Sequence, residues 1–341
     1  MATDELAVGV IFPAKKIEHL RDVLHEARDG VRFVLIDLYD ASVTSAQSLA
    51  HKYGKLDAVL HKLAHEMVFA RLGDPHASQR LAIMHEYVQQ NPRVKIIDPI
   101  ASVQLLTDRH AACEMLVRLQ QDKKSAGDEM IAKDLVAFSV PKFHVIQTRE
   151  QFAAFCSSVD AGETKLPLIC KSVEACATDR SHLMSVITQR ADLQYVEYPA
   201  LYQGYVLGDY INVAERRSLP NLQAGAAQVH FNTQKQYPTA EDFHPSAASA
   251  PVSSNVSTAS TSSSTSTAPI RSQSDIFAAV RAIGERICEA LGLTLFGFDV
   301  IVSDATQELF VIDVNYFPSY KELDDFSSAL RKHIKQRCAG P

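Results

Sequence analysis

The feature that most constrains the fold is a pair of apolar runs near the C-terminus, each with an aspartate inside it. Residues 295–302 read LFGFDVIV and residues 309–315 read LFVIDVN. Both runs have the composition of β-strands, and the polar stretch between them predicts a hairpin. An ionised carboxylate within an apolar strand is costly unless a cation or hydrogen bonds compensate it. We therefore expect Asp299 and Asp313 to lie close together beside a compensating positive charge.

Asn315 adds a third oxygen ligand to this pair. It lies two residues beyond Asp313, so strand alternation places both side chains on one face. Neighbouring carboxylates repel each other, and a divalent metal removes that repulsion. Carboxylate and amide oxygens are ligands that Mg²⁺ takes while it keeps positions for water and phosphate. The pattern predicts a magnesium site at Asp299, Asp313 and Asn315, with turn-capping aspartates as the alternative.

The first hundred residues alternate short apolar runs with helical periodicity. Strand-like runs occur at 8–12, 33–38, 56–62 and 94–98, and the clearest helical patterns lie at 17–28 and 77–90. This alternation is typical of a parallel α/β sheet. We expect an N-terminal α/β domain over residues 1–105. Further along, a helix is predicted at 109–122 and strands at 167–171, 201–207 and 210–214.

Residues 244–274 are dominated by Ser, Thr, Ala and Pro. Such a composition cannot bury enough apolar surface to offset the entropy of ordering the chain. The segment is therefore predicted to be a disordered insertion. A helix is predicted to follow it over residues 274–291, with Ser274 as its N-cap.

Composition excludes several classes of function. The chain has 341 residues, a net charge of −6 and a pI near 6.1, which is the wrong balance for a nucleic-acid binder. Its six cysteines form no CxxC pair and no zinc-type spacing, so reduced thiols are expected. The sequence shows neither a transmembrane-length apolar run nor a secretory leader. We expect a cytoplasmic monomer that binds neither membranes nor nucleic acid.

Cationic side chains recur at the ends of predicted elements. Lys171 ends an apolar strand, Arg109 opens a helix, Lys62 ends the third strand and Lys16 follows the first. His182 lies in a polar turn. Each residue alone has an ordinary interpretation as a solvated charge or a cap. Their shared placement at element ends, where open α/β sheets bind ligands, favours a site for an anionic ligand.

Several stretches resemble one known family. VGVIFPAKKI, LDAVLHKL, LPLICK, RRSLPN and LFGFDVIVSDATQELFVIDVNYFPSY follow, in order, the pattern of the inositol-tetrakisphosphate 1-kinases, also called inositol trisphosphate 5/6-kinases. The resemblance implies an α/β fold in which ATP-grasp lobes built on antiparallel sheets follow the N-terminal parallel domain. It implies a central lobe at 106–205 and a C-terminal lobe at 206–338. The implied reaction transfers the γ-phosphoryl group of ATP, with one or two Mg²⁺ ions, to a hydroxyl of an inositol tris- or tetrakisphosphate.

The resemblance also implies a role for each matching residue. The residues that line the ATP site would be Arg109, Lys171 and Ser218. The residues that contact the inositol phosphate would be Lys16, Lys62, His182, Asn315 and Ser319. Catalytic charge compensation would come from Lys171 and His182. The Mg²⁺ ligands would be Asp299, Asp313 and Asn315.

Three departures from the family pattern leave alternatives open. Cys176-Ala177 stands where the family has His-Gly, and Ser319 where it commonly has Gly. After Gln203 a segment is absent that includes part of the adenine hinge and a substrate-site lysine. The alternatives are a catalytically impaired member that binds nucleotide or inositol phosphate, a shortened splice form or incomplete gene model, and another ATP-grasp enzyme that makes an acyl-phosphate.

Overall fold

The fold was determined from a computed structural model. The structure describes residues 5–125, 137–191, 200–207, 210–216, 219, 222, 226–235, 237–244, 271–303, 306–321 and 323–339. Ser218 and residues 245–270 of the predicted insertion lie outside the described residues.

The N-terminal part is a parallel α/β unit. In chain order it contains β1 (Leu6–Ile11), α1 (Ala14–His19), α2 (Arg21–His25), β2 (Val31–Leu35), α3 (Ala46–Tyr53), β3 (Ala58–His61), α4 (Ala64–Arg71), α5 (Pro75–Gln90), β4 (Lys95–Ile97) and α6 (Ile100–Leu105). The strands pair in the order β2-β1-β3-β4, and every pairing is parallel. The predicted parallel α/β sheet is confirmed.

Two helix boundaries differ from the prediction. The single helix predicted at 17–28 is wrong, because the helix breaks at the buried Leu20 and ends at His25. The other helix begins at Pro75, because the Asp74 side chain accepts hydrogen bonds from the backbone N–H groups of His76 and Ala77. The observed helix therefore begins two residues before the predicted start at residue 77 and ends, as predicted, at residue 90.

The remaining elements build two antiparallel sheets. In chain order they are α7 (Arg109–Ser125), α8 (Arg149–Asp160), β5 (Leu168–Lys171), β6 (Leu183–Ile187), β7 (Ala200–Leu207), β8 (Tyr210–Arg216), β9 (Val229–Asn232), α9 (Gln273–Leu291), β10 (Leu295–Val302), β11 (Leu309–Tyr316) and α10 (Phe326–Ala339). One sheet has the order β5-β6-β9 and the other β11-β10-β7-β8. Because β9 follows β7 and β8 in the chain, the two sheets interleave along the sequence. The division of the chain at residues 105 and 205 stays a prediction.

Helix α9 begins earlier than the sequence pattern indicated. The predicted N-cap, Ser274, lies inside the helix, and the N-cap is Ser272, whose hydroxyl accepts a hydrogen bond from the backbone N–H of Asp275 at 3.1 Å. The last residues of the predicted insertion are therefore helical. The buried face of α9 packs in the main core beside the β10–β11 hairpin.

A buried polar junction joins the N-terminal sheet to this hairpin. Asp98, which follows β4, accepts hydrogen bonds from the backbone N–H groups of Thr294 and Leu295, each at 2.8 Å. The ring Nε2 of His61 at the end of β3 lies 2.8 Å from the Asp98 carbonyl oxygen. Burial raises the pKa of the Asp98 carboxyl. The junction fixes the carboxyl ends of β3 and β4 against the start of β10.

None of the described helices combines the length and the apolar character that crossing a membrane requires.

Candidate active site

The two central aspartates lie opposite each other on the β10–β11 hairpin. Asp299 pairs with Asp313 in antiparallel register, and Asn315 is opposite Gly297. A register shift between Asp299 and Val300 marks a β-bulge beside the pair. Residues directly opposite in such a ladder project to the same face with Cβ atoms about 4.5–5.5 Å apart. The expected proximity of the two aspartates is confirmed.

Asp313 is held in its charged form. Burial opposes that charge, but Lys171, Arg109 and two hydrogen bonds outweigh it, so the pKa of the carboxyl is lowered. The hydrogen bonds come from the Asn315 amide nitrogen at 3.2 Å and from the Val314 backbone N–H at 3.1 Å. The hairpin therefore presents anionic oxygen ligands toward two cations.

These residues line one cleft of about 750 Å³. The cleft lies between the two antiparallel sheets and is bounded by α7, α8 and the segment 140–146. Six of the predicted site residues line it together: Arg109, Lys171, His182, Asp299, Asp313 and Asn315. One end of the cleft therefore carries both signs of charge, as a site for a metal-bound anion requires.

The remainder of the cleft is apolar. The apolar side chains in its wall include Val140, Phe143, Phe155, Leu168, Ile169 and Phe231. Lys171 ends β5 two residues after Ile169, so apolar and charged surfaces meet along one strand. A flat heteroaromatic ring attached to a charged group matches this division of the cleft.

Arg109 organises the loop that follows β5. One terminal nitrogen of its guanidinium donates to the carbonyl oxygens of Ser172 at 2.8 Å and Glu174 at 2.6 Å, and the other to that of Ser181 at 2.9 Å. Arg109 Nε is buried without a hydrogen-bond partner among the described residues. The sequence predicted a phosphate contact for this residue, and the structure places its terminal nitrogens on backbone carbonyls instead. We call residues 172–181 the β5–β6 loop.

The β5–β6 loop contains a residue in the left-handed backbone region. Ala177 has φ +77°, at the place where the family pattern has glycine. An L-residue in this region is disfavoured because its Cβ approaches the carbonyl oxygen that follows. The substitution has therefore kept the backbone conformation that glycine favours.

Replacing Ala177 by glycine should stabilise the protein. Removing the Cβ relieves a left-handed strain of about 1–2 kcal/mol, and the extra freedom of glycine in the unfolded chain offsets part of this gain. We expect Ala177→Gly to raise the free energy of unfolding by about 0.5–1 kcal/mol in urea titrations. The matched control is Ala175→Gly in the same loop, whose φ is not positive. It should lower the free energy of unfolding, and equal effects of the two variants would contradict this account.

His182 closes the charged end of the cleft. It ends a short 3₁₀ helix, Asp179–His182, and its Nε2 lies 2.8 Å from the Gln234 side-chain nitrogen. Its pKa is lowered, first by burial and then by the charges of Arg109 and Lys15. The ring is therefore biased toward the neutral form, in which it can donate one hydrogen bond and accept another.

Lys16, Lys62 and Ser319 meet at the loop that follows β11. Lys16 Nζ donates to the Pro318 carbonyl at 2.6 Å, and Lys62 Nζ donates to the Phe317 carbonyl at 2.8 Å. Ser319 is the next residue in this loop and is half-buried. The three predicted substrate residues thus gather directly beyond Asn315, at the edge of the carboxylate hairpin.

Burial makes this pair of lysines unusually acidic. Burial and the charge of Lys62 lower the pKa of Lys16 to about 7, and burial lowers that of Lys62 to about 8. The Lys16 ammonium also lies 4.4 Å from the centroid of the Phe317 ring. Two desolvated amines at one place favour an anionic ligand that restores their charge.

Sequence reasoning missed His65. It lies in the first turn of α4, three residues after Lys62, and it is half-buried. Its pKa is lowered, first by burial and then by the charge of Lys62, with His182 contributing further. These interactions link the lysine pair to the charged end of the cleft. No local sequence signal marked it, because Lys62 precedes α4 and the two residues do not share a helix face.

The chain is similar to proteins of one known family. Residues 132–336 match the family model described as the inositol 1,3,4-trisphosphate 5/6-kinase ATP-grasp domain. The chain belongs to this family. The Xenopus laevis protein named inositol-tetrakisphosphate 1-kinase is 27% identical over 300 residues, covering 82% of this chain and 67% of its own length. Inositol-tetrakisphosphate 1-kinase 1 of Arabidopsis thaliana is 26% identical over 351 residues, covering 95% and 92%.

Solved structures agree on the fold. A RimK domain ATP-grasp protein from Sphaerobacter thermophilus superposes with a TM-score of 0.55 at 14% identity, covering 98% of this chain and all of its own. D-alanine–D-alanine ligase from Bacillus anthracis gives a TM-score of 0.52 at 9% identity, covering 98% of this chain and 97% of its own. At these identities the likeness shows the ATP-grasp fold alone. The predicted family and the predicted fold class are both confirmed.

Proposed function

We propose that this member of the 5/6-kinase family transfers the γ-phosphoryl group of ATP to a hydroxyl of an inositol tris- or tetrakisphosphate. The observation that carries the proposal is the aspartate pair, which faces Lys171 and Arg109 across one cleft. The chain as a whole has a net charge of −6, whereas cations are concentrated at this one cleft. A substrate with several phosphates suits such a concentration of cations.

The donor set suits Mg²⁺. Asp299 and Asp313 supply carboxylate oxygens from directly opposite positions, and Asn315 supplies an amide oxygen on the same face. Among the described residues no group of three or more His, Cys, Asp and Glu is arranged to hold a metal, so the amide is needed to complete the set. When bound, Mg²⁺ would neutralise phosphate charge in the site.

The protein's own residues would hold and orient the two substrates. The apolar wall around Ile169 would take the adenine ring, and Lys171 at the end of the same strand would approach its phosphates. Neutral His182 would donate a hydrogen bond to the transferred group. Lys16, Lys62 and Ser319 would hold inositol phosphates beyond Asn315.

The proposal is tested by incubating the purified protein with Mg²⁺-ATP and a panel of inositol tris- and tetrakisphosphates. Formation of ADP together with a more highly phosphorylated inositol supports the kinase. Binding of these ligands without turnover would contradict it and favour the impaired member. ADP formation that requires an acid and an amine would favour the acyl-phosphate ligase.

The impaired member has a specific observation in its favour. Strands β7 and β8 form a direct antiparallel hairpin in which Gln203 pairs with Ala214, at the place where the family carries the additional hinge segment. Gln203 also lies opposite Asp299 in the sheet. Measuring both ATP affinity and γ-phosphoryl transfer separates the two possibilities, because a binding module keeps nucleotide affinity without transfer.

Binding of an inositol phosphate should take up protons at pH 8. Lys16 and Lys62 have pKa values of about 7 and about 8 in the free protein, so at pH 8 both are partly neutral. Neighbouring phosphates favour the charged amines and raise both pKa values, so protons must be bound. Calorimetry in buffers of different ionisation enthalpy should show net uptake at pH 8 and less at pH 6. The Lys16→Met variant should take up fewer protons, and uptake that does not depend on pH would contradict the assignment.

A further inference from the structure

The β5–β6 loop is hydrogen-bonded to the segment that precedes α7. The backbone N–H of Arg109 donates to the Val173 carbonyl at 2.9 Å, and that of Ala175 donates to the Thr107 carbonyl at 3.0 Å. Asp108 and Glu174 form an isolated antiparallel bridge between the same segments. With the guanidinium contacts of Arg109, this short ladder fixes the loop at both of its ends.

Arg71 holds that segment from the N-terminal unit. One of its terminal nitrogens lies 3.0 Å from the Asp108 carboxylate, and the other donates to the Thr107 carbonyl at 3.3 Å. The Thr107 carbonyl is the same acceptor that receives the Ala175 N–H. A single side chain therefore contacts both the ladder and Asp108, the residue that caps α7.

Asp108 divides its two carboxylate oxygens between two tasks. One oxygen accepts the backbone N–H groups of His110 at 2.9 Å and Ala111 at 3.1 Å, which caps α7. The other receives Arg71. The ion pair is partly exposed, with 40% of the Arg71 side chain and 28% of that of Asp108 accessible, so it contributes little to overall stability. The ion pair instead fixes the position of Asp108 relative to α4.

The helix that carries Arg71 starts at the inositol phosphate side of the site. Lys62 follows β3 and lies two residues before α4 begins, His65 lies in the first turn of α4, and Arg71 is its last residue. Helix α4 thus runs from the lysine pair to the ladder that holds the β5–β6 loop. An α-helix transmits a small displacement along its axis with little change in length.

We propose that Arg71 is a positioning residue that couples the inositol phosphate side of the site to the β5–β6 loop through Asp108 and Thr107. It does not line the cleft. It sets the position of the loop whose carbonyls hold Arg109 and whose Ala177 has the left-handed conformation. The inference rests on the proposed function in taking the lysine pair as the inositol phosphate side of the site and this loop as the one that covers the phosphates of ATP.

The first test is hydrogen exchange of residues 172–178 in the full chain without ligands. Arg71→Ala should accelerate exchange in this segment, because the Thr107 carbonyl that receives Ala175 is then held less firmly. Asp108→Asn should do the same while asparagine still caps α7. Arg71→Lys should rescue part of the protection. The matched control is Arg118→Ala on α7, an arginine that is 76% exposed, which should leave exchange in this segment unchanged. Unchanged exchange in both Arg71→Ala and Asp108→Asn overturns the inference.

The second test is the affinity for a non-hydrolysable ATP analogue with and without an inositol tetrakisphosphate. Arg71→Ala should weaken analogue binding by about 5- to 20-fold and abolish any mutual strengthening between the two ligands. The urea midpoint should stay close to that of Arg118→Ala. Analogue affinity and coupling equal to the wild type overturn the proposal. If the wild-type protein lacks turnover while exchange and affinity shift as described, the kinase assignment fails and the positioning role stands.

Discussion

Asp313→Asn is expected to lower Mg²⁺-dependent turnover of ATP by at least about 10³-fold. Asparagine keeps the size and one oxygen of the side chain but removes the charge that lies opposite Asp299. The proposed Mg²⁺ site then loses one of its two anionic ligands, while the Lys171 and Arg109 charges remain without that carboxylate. Steady-state kinetics with saturating inositol phosphate measures the loss.

Stability separates this effect from a folding defect. Lys171 and Arg109 favour the charged form of Asp313, so Asp313→Asn should lower the free energy of unfolding by about 1–2 kcal/mol without unfolding the protein. Thermal stabilisation by Mg²⁺-ATP should disappear in the variant. The matched control, Asp22→Asn, alters an exposed carboxylate in the N-terminal part and should retain both turnover and stabilisation. Turnover of Asp313→Asn close to the wild-type rate would contradict the metal assignment.

Lys62→Met is expected to raise the KM for the inositol phosphate by about 100-fold while kcat changes much less. A charge-assisted contact with phosphate contributes about 1.5–3 kcal/mol, and Lys62 is the more buried of two amines that meet at the Phe317 and Pro318 carbonyls. Methionine fills the same space without a charge. Initial rates over a range of inositol phosphate concentrations measure both constants.

The same substitution should not weaken the fold. Burial already disfavours the charged form of Lys62, so an apolar replacement should leave the free energy of unfolding unchanged or raise it by about 1 kcal/mol. Lys55→Met, at an exposed position just before β3, should alter neither KM nor stability. A decrease in kcat with unchanged KM would place Lys62 in a catalytic step instead of in substrate binding.

Local pattern was sufficient for the carboxylate hairpin. The apolar runs at 295–302 and 309–315 were long, contained few polar residues and flanked a polar turn. The existence of the two strands, their pairing and the proximity of the two aspartates all followed from this pattern. The observed strands, Leu295–Val302 and Leu309–Tyr316, differ from the prediction by one residue. Asn315 needed only strand alternation to be placed on the same face.

Other local signals were present and not used. Helix α8 was not predicted, although Thr148 and Gln151 form a capping box at its start. The break at Leu20 was missed because the apolar periodicity continues through it, whereas its backbone (φ −106°, ψ 16°) leaves the helical region. Ser272 was not considered as the cap of α9, although it lies only two residues before the predicted Ser274.

Long-range contacts were beyond sequence reasoning. Lys16 and Lys62 reach the Pro318 and Phe317 carbonyls across 302 and 255 positions of the chain, and no local pattern encodes that meeting. The role of Arg109 is similar, because its carbonyl partners begin 63 residues later, in a loop that showed only a departure from the family pattern. The family resemblance identified these residues, and the fold shows what each one contacts.

Calorimetric titration of ATP with and without Mg²⁺ tests the central claim most directly, because the claim is that a nucleotide-bound dication lies between Asp299 and Asp313. If it is right, Mg²⁺ strengthens ATP binding by at least about tenfold in the wild-type protein, and this gain is lost in Asp313→Asn. Equal ATP affinity with and without Mg²⁺ in the wild-type protein would contradict it.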